Sequence, residues 1–246
     1  GKASEHAILT SRVIDRPMRP LFPKDYRNDV TLNNMVMSVD PQCNPEVVAM
    51  LGSSIATCIS DIPFDGPCAA TQVGMIDGEL IINPTLEQNA KSDLKLTVAS
   101  TREKVIMIEA GANEVPEAKM IEAIFEADKV NKEIIAFIDK IVADCGKAKH
   151  SYESCAVPEE LFAAMKEIVT PEEMEVAVFS DDKQTRENNI SEITDKLKEA
   201  FADNEEWLAV LGEAVYQYQK KTVRKMILKD HKRPDGREIR QIRPLA

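Results

Sequence analysis

The dipeptide Asp77-Gly78, which lies between two segments rich in strand-forming residues, constrains the fold more than any other feature of the sequence. Asp-Gly is a strong signal for a two-residue β-hairpin, because both central positions of that turn favour residues that tolerate a positive φ. The pattern predicts paired strands over residues 69–77 and 79–83. A hairpin here indicates an antiparallel sheet and argues against a doubly wound parallel one.

Segments on both sides of the hairpin predict the remaining elements of a layered α+β domain. Ser4 can cap a short helix that ends at Pro17, and Pro45 opens a helix whose apolar residues recur every four positions. A long helix with an apolar stripe is predicted after Pro116. Further strands are predicted over residues 29–39, 93–99 and 104–109, the last of them ended by Gly111. We therefore expect a mainly antiparallel sheet packed on helices.

The character of the sequence changes near residue 147. Residues 147–206 carry 16 acidic and 7 basic side chains and no convincing strand pattern, whereas residues 220–246 carry 10 basic and 3 acidic ones. Helices are predicted to begin at Pro158, near Pro171 or Glu187, and at about Asn204, the last one running to Leu228. The second part is therefore expected to be all-helical, and its last fifteen residues have the pattern of the entry into another domain.

Composition excludes several classes of protein. A net charge of −11 rules out a uniformly basic nucleic-acid-binding surface, although it allows a local basic patch. No apolar stretch approaches the ~18 residues of a membrane span, and the first residues do not form a signal peptide. Five cysteines without a Cys-x-x-Cys pair argue against a disulfide framework and a structural zinc site. We expect reduced, mostly packed thiols in a cytoplasmic protein, and a chain that was processed or is a piece of a longer protein.

Two segments have distinctive residue patterns, one of which favours anion binding and the other a turn. Arg12, Arg16 and Arg19 are four and three positions apart, so a helix places them on one face. Their guanidinium groups repel one another unless an anion meets them, and their planar forks suit phosphate oxygens. Spacing alone leaves open that they pair with acidic side chains elsewhere or lie in water. The second segment, residues 233–237 (Arg-Pro-Asp-Gly-Arg), predicts a turn.

Together these segments resemble the bacterial polynucleotide phosphorylase family of phosphate-dependent 3′-to-5′ exoribonucleases. The resemblance runs through nearly the whole chain and is densest over residues 8–22, which contain the three arginines. It continues in residues 38–40, 59–67, 76–79 and 108–112.

The resemblance implies the division of the chain. Residues 1–146 would be most of a first ribonuclease-PH-like core, residues 147–231 an all-helical linker domain, and residues 232–246 the first strand of a second core. It also implies a parent protein that forms a homotrimeric ring and admits single-stranded RNA. In such a ring inorganic phosphate, assisted by Mg²⁺, releases nucleoside diphosphates, and the reverse reaction builds RNA. The parent would act in mRNA turnover and could join partners in an RNA-degradation complex.

Lys2, Arg12, Arg16 and Arg19 match the basic lining beside the active-site cleft of that family, so they are expected to contact RNA or phosphate. No catalytic or metal-binding residue is expected in this segment, because the family's phosphate-holding serine and metal-binding aspartates belong to the second core. The fragment alone is therefore expected to be inactive. The acidic helical domain is expected to stay away from RNA.

Two other functions remain open at this point. One is a catalytically silent ribonuclease-PH-like subunit that binds RNA within a ring. The other is a helical protein-interaction module, in which residues 147–231 bind a partner and the preceding core supports them.

Overall fold

The computed structural model describes residues 1–244, and the chain divides into two compact units, the first ending at Ser154 and the second beginning at Cys155. Unit 1 contains the following elements in chain order: α1 (Glu5–Met18), a 3-10 turn (Arg19–Leu21), α2 (Pro45–Ile59), β1 (Ala69–Ile76), β2 (Glu79–Ile82), α3 (Leu86–Asn89), β3 (Leu94–Ser100), β4 (Val105–Ala112) and α4 (Glu117–Cys145). Unit 2 contains α5 (Glu159–Ile168), α6 (Pro171–Val178), α7 (Lys183–Ala200) and α8 (Glu205–Leu228). The predicted α+β part followed by an all-helical part is confirmed.

The sheet of unit 1 is antiparallel throughout, with the strand order β2-β1-β3-β4. The predicted hairpin joins β1 and β2, with Ile76 paired to Glu79. Asp77 and Gly78 have φ values of 51° and 81°, so both turn residues adopt the left-handed conformation that this turn requires.

Helices cover both faces of the sheet because alternate residues of a strand point to opposite sides. Ala70 of β1 packs in a cluster with Ile14 of α1 and Met50 of α2. Val73 of β1 packs instead with a second cluster, which includes small residues of α4 such as Ala123. The face that carries α1 therefore lies opposite the face that carries α4.

The prediction of a strand over residues 29–39 is wrong for this structure. The segment joins no strand ladder, and several of its apolar side chains face solvent, including Met35 (81% exposed) and Met37 (84% exposed). Composition favours a strand here, but a strand also needs a neighbour for its backbone hydrogen bonds, and the described residues supply none. Gly111 likewise does not end β4, because it pairs with Lys95 of β3.

Unit 2 is built around the buried face of α8. Leu211, Val215 and Tyr218 of this helix pack against residues of α5, α6 and α7, and the Tyr218 hydroxyl donates to the carbonyl of Val169 at 3.0 Å. The two alternative helix starts near Pro171 and Glu187 are both realised, as α6 and α7.

Residues 147–154 belong to unit 1 rather than to the helical unit. The Lys149 ammonium donates to the carbonyls of Thr57, Cys58 and Ser60 at the end of α2, at 3.1, 2.9 and 2.7 Å. Hydrogen bonds from Ser154 and then from the Tyr152 hydroxyl lower the pKa of Asp25. The compact unit thus ends at Ser154, whereas the sequence pattern changes at residue 147.

The segment after α8 forms turns. The backbone N–H of Ser180 donates to the carbonyl of Pro234 at 2.9 Å, and the Lys232 ammonium lies 4.0 Å from the centre of the Phe179 ring. The predicted turn over residues 233–237 is present, with Gly236 at a φ of 74°. The strand expected over residues 232–246 does not form within residues 232–244, and the last two residues lie outside the described part.

Candidate RNA- and phosphate-contacting surface

The first helix determines where the predicted arginines lie. The Ser4 hydroxyl caps α1 by accepting from the N–H of Ala7 at 3.2 Å, as predicted. The buried side of the helix carries Ile14, Pro17 and Met18, and the helix continues one residue past Pro17 before the 3-10 turn begins. Burial of this side leaves the arginine-bearing side of α1 facing solvent.

Two of the three arginines form ion pairs. Arg16 Nη1 lies 2.8 Å from Glu109 Oε2 on β4, so this contact joins α1 to the edge of the sheet. Arg19 binds Asp15 through two parallel hydrogen bonds, from Nε at 3.0 Å and from Nη2 at 2.7 Å. Arg12 is exposed and has no carboxylate within ion-pairing distance among residues 1–244.

Both ion pairs are open to water, and this decides how firmly they hold the guanidinium groups. The side chains of Arg16 and Glu109 are 48% and 47% exposed, and Arg19 is 75% exposed. Exposed pairs of this kind contribute only about 0–1 kcal/mol, so a phosphate can replace the carboxylate at little cost. The pairs are compatible with anion binding at the same groups.

Lys2 precedes α1 and is exposed. Within residues 1–244 it makes no recorded hydrogen bond or ion pair, and the structure does not bring it into contact with the three arginines. Of the four predicted residues, the structure therefore places Arg12 and Arg16 on α1, Arg19 at the start of the 3-10 turn that follows it, and Lys2 before the start of the helix.

A cleft of about 850 Å³ lies beside α1, between this helix, residues 22–36 and the start of α2. Arg19 and Asp15 line it, whereas Arg12 and Arg16 do not. The cleft wall also includes Tyr26 and Asn28, so aromatic and amide groups lie in the same hollow as one of the arginines.

A polar network that the sequence did not indicate reaches the cleft through His6, Thr10 and Glu46. Glu46 accepts from the Thr10 hydroxyl at 3.3 Å, from Gln72 Nε2 at 3.1 Å, and lies 3.2 Å from His6 Nε2. Asn44 extends the network through its own hydrogen bond to Gln72 at 2.6 Å. No local pattern could have revealed these residues together, because they come from α1, α2 and β1.

Residues 1–244 contain neither a cluster of metal ligands nor a candidate membrane span. No three His, Cys, Asp or Glu side chains converge closely enough to hold a metal ion. In the same part of the chain, no helix has the length and apolar character needed to cross a membrane.

The cysteines differ from the expectation of mostly packed thiols. Cys58 and Cys68 are buried, but Cys43, Cys145 and Cys155 are exposed, and all five are free. Burial raises the pKa of Cys68 to about 11, so its thiol stays protonated at neutral pH.

Three family models match the chain. The 3′ exoribonuclease family, domain 1, matches residues 1–63, and domain 2 of the same family matches residues 66–130. A model described as the RNA binding domain of polyribonucleotide nucleotidyltransferase matches residues 160–238.

Individual proteins are similar over the whole chain. The polyribonucleotide nucleotidyltransferase of Lachnoclostridium phytofermentans is 75% identical over 247 residues, and that of Ruminiclostridium cellulolyticum is 50% identical over 247 residues. In both comparisons all of this chain is covered but only 35% of the relative, so the chain spans about a third of the length of these relatives. A crystal structure of rice (Oryza sativa) Rrp46, at 12% identity and a TM-score of 0.46, covers 58% of this chain and 68% of that one, which is too distant to support an argument.

Proposed function

Because the chain belongs to the polyribonucleotide nucleotidyltransferase family over its whole length, we propose that it is part of a phosphorolytic 3′-to-5′ exoribonuclease. In this reaction inorganic phosphate attacks the terminal linkage of single-stranded RNA and releases a nucleoside diphosphate, and the reverse reaction extends RNA. The observation that carries the proposal is the 75% identity over 247 residues with the Lachnoclostridium protein.

The proposed roles of the segments follow the family. Residues 1–146 form most of a first ribonuclease-PH-like core, residues 147–231 the helical linker domain, and residues 232–246 the beginning of a second core. Support comes from the two 3′ exoribonuclease models, which lie within the first range, and from the third model, which matches residues 160–238.

We assign contact with RNA or phosphate to Lys2, Arg12, Arg16 and Arg19. Phosphorolysis brings a phosphate dianion to a polyanionic RNA end, so fixed cations are needed to offset the repulsion. Arg12 supports the assignment best, since its charge is exposed and has no carboxylate within ion-pairing distance among residues 1–244. Contacts of this kind are to the backbone and carry no sequence preference.

The third family model changes one expectation about the helical unit. The acidic composition of residues 147–206 suggested that this unit stays away from RNA, but the model matched over residues 160–238 describes an RNA-binding domain. We therefore propose that the helical unit also contacts RNA.

For the parent protein we propose a cytoplasmic homotrimer that uses Mg²⁺ and takes part in RNA-degradation complexes. Its phosphate-holding serine and metal-binding aspartates lie, on the family resemblance, in a second core outside these residues. The 246-residue chain by itself is accordingly proposed to have no phosphorolytic activity.

The test compares the full-length parent with this chain on the same single-stranded RNA. The parent should release nucleoside diphosphates when phosphate and Mg²⁺ are present and should release none when phosphate is omitted, whereas the chain alone should release none. A parent that binds RNA without phosphate-dependent release would be a silent subunit. A parent that neither binds nor shortens RNA but captures a protein through residues 147–231 would be an interaction module. Shortening by the chain alone would place the active site in this segment.

A further inference from the structure

Helix α8 changes its charge along its length. Its first turn carries Glu205 and Glu206, whereas its second half carries four cations. These cations are Lys220, Lys221, Arg224 and Lys225, and all four are exposed. The opposite side of the same half is buried, so the orientation of the helix is fixed by the core of unit 2.

The four cations have no ionic partners within the described chain, in contrast to the lysines of the neighbouring helix. On α7, Lys183, Lys196 and Lys198 lie 3.4, 3.8 and 2.9 Å from a carboxylate oxygen. No carboxylate of residues 1–244 lies within 4.0 Å of the four basic groups of α8.

The spacing of these cations makes them unfavourable to the helix itself. Lys220 and Arg224 are four residues apart, as are Lys221 and Lys225, and like charges at this spacing destabilise a helix. These four cations repel one another, and no nearby carboxylate among residues 1–244 neutralises them. An external anion that lies along the helix would reduce this repulsion by accepting hydrogen bonds from them.

An exposed aromatic ring continues the line of charge. Tyr216 is 55% exposed and precedes Lys220 by one turn, with the Lys220 ammonium 6.0 Å from the ring centre. Tyr216, Lys220 and Arg224 follow each other at four-residue intervals, so they form a line about 12 Å long on one side of the helix. Lys221, beside this line, lies 4.4 Å from the centre of the Phe162 ring, and this contact orients its ammonium group.

We propose that Tyr216, Lys220, Lys221, Arg224 and Lys225, named here the α8 basic stripe, bind single-stranded RNA through its backbone, with a base stacked on Tyr216. Cations that follow the phosphates combined with an aromatic ring for stacking are the features by which proteins bind single strands without sequence preference. The inference rests on the proposed function in one respect, namely that RNA is the polyanion the parent handles. Beyond the proposed function, the inference specifies where on the helical unit RNA binds, because the acidic start of α8 repels RNA and the α8 basic stripe attracts it.

The test measures binding of a fluorescent single-stranded RNA of about 16 nucleotides to the 246-residue chain by anisotropy, over a range of salt concentrations. The variant Lys220→Gln/Arg224→Gln should bind about 10-fold more weakly, and the slope of log affinity against log salt should fall by about 0.7 for each lost contact. The matched control is Lys196→Gln/Lys198→Gln, which removes the same charge from α7 and should leave both quantities unchanged. Circular dichroism checks that both variants are folded.

A second variant separates stacking from charge. Tyr216→Ala should weaken RNA binding about 10-fold without changing the salt slope. Tyr216→Phe should bind RNA as well as the unchanged chain, because only the ring is needed for stacking.

The inference is overturned if the α8 and α7 variants lose affinity equally, or if the stripe binds an acidic peptide and not RNA. Failure here is distinguishable from failure of the proposed function. If the parent protein releases nucleoside diphosphates with phosphate and its α8 variant binds RNA normally, the α8 basic stripe does not bind RNA but the proposed function stands. If the parent protein releases no nucleoside diphosphates with phosphate, the proposed function is wrong, whatever the α8 basic stripe binds.

Discussion

Arg16 shows how a single contact can be tested for structural or functional importance. Its guanidinium lies 2.8 Å from Glu109, so removing either partner breaks the same exposed ion pair. If Arg16 binds RNA or phosphate in the parent protein, only loss of the arginine should matter, since loss of the glutamate frees the cation.

We therefore expect Arg16→Gln in the parent to weaken RNA binding alike for all sequences and to lower the salt slope by about 0.7. Glu109→Gln, the matched control, should bind RNA as well as the unchanged protein or better. Filter binding with two RNAs of different sequence at several salt concentrations measures both. Equal loss of affinity in the two variants would mean that the ion pair is structural and that Arg16 does not touch RNA.

Asp235 gives a prediction about acid. Hydrogen bonds from Arg237, and after them the charges of Arg233 and Arg237, hold the pKa of this carboxyl at about 2. A lowered pKa in the folded state means that the ionised group stabilises the turn above the pKa of about 3.9 that aspartate has when unfolded, and that this contribution is lost as the pH falls towards 2.

An NMR titration of the Asp235 carboxyl should accordingly have a midpoint near 2. Arg237→Gln should move the midpoint upward towards about 3.9, and Arg233→Gln should move it less, because Arg237 supplies the larger effect. A midpoint at the ordinary value in the unchanged chain would show that the turn does not hold Asp235 between these arginines.

Among the elements of unit 1, the segment 147–154 is held against the end of α2 mainly by one side chain, that of Lys149. The Lys149 ammonium donates to three carbonyls at the end of α2, where the last carbonyls of a helix have no partner within the helix. One of them, that of Thr57, also accepts from the Ser60 hydroxyl at 2.8 Å. The neighbouring Lys147 contributes only its backbone N–H, which donates to the carbonyl of Ile59 at 3.0 Å.

Lys149→Met should therefore destabilise unit 1 by about 1–3 kcal/mol, since three carbonyls lose a charged donor. Lys147→Met keeps its backbone bond and should change stability little, which makes it the control. Urea unfolding measures the first effect, and faster proteolysis between residues 147 and 158 in the Lys149 variant measures release of the segment. Equal stability of the two variants would show that the ammonium does not anchor the segment.

Across the whole molecule, the two units differ in how completely each buries its apolar residues, and this determines which of them can fold independently. Unit 2 buries a continuous cluster among its own helices, including Leu161, Leu197 and Leu211. Unit 1 leaves apolar groups exposed on the segment 29–39 and at the outer strand β4, where Ile108 is 45% exposed. Exposed strand edges of this kind pair with other chains or aggregate.

Residues 155–246 expressed alone should be monomeric and melt cooperatively, whereas residues 1–154 alone should aggregate. Size-exclusion chromatography and thermal melting followed by circular dichroism compare the two directly. A sharply melting monomer of residues 1–154 beside an unfolded 155–246 would reverse this assignment.

The sequence by itself determined the elements whose signals act within a few residues. The Asp77-Gly78 turn, the Ser4 cap and the helix starts at Pro116, Pro158 and Pro171 all lie where they were predicted, because turn and cap chemistry depends on adjacent backbone. The spacing of the arginines likewise predicted a helix that carries Arg12 and Arg16, whereas Arg19 lies in the 3-10 turn directly after it.

Only the tertiary structure decided which distant residues meet. Residues 29–39 have a strand composition, yet no ladder forms, because strand pairing depends on a neighbour that composition cannot supply. The partner of Arg16 is 93 residues away on β4, and Lys149 reaches carbonyls about as far back along the chain. These contacts also explain why unit 1 extends to Ser154, since a change in sequence pattern marks where helices begin, whereas a compact unit ends where its long-range contacts end.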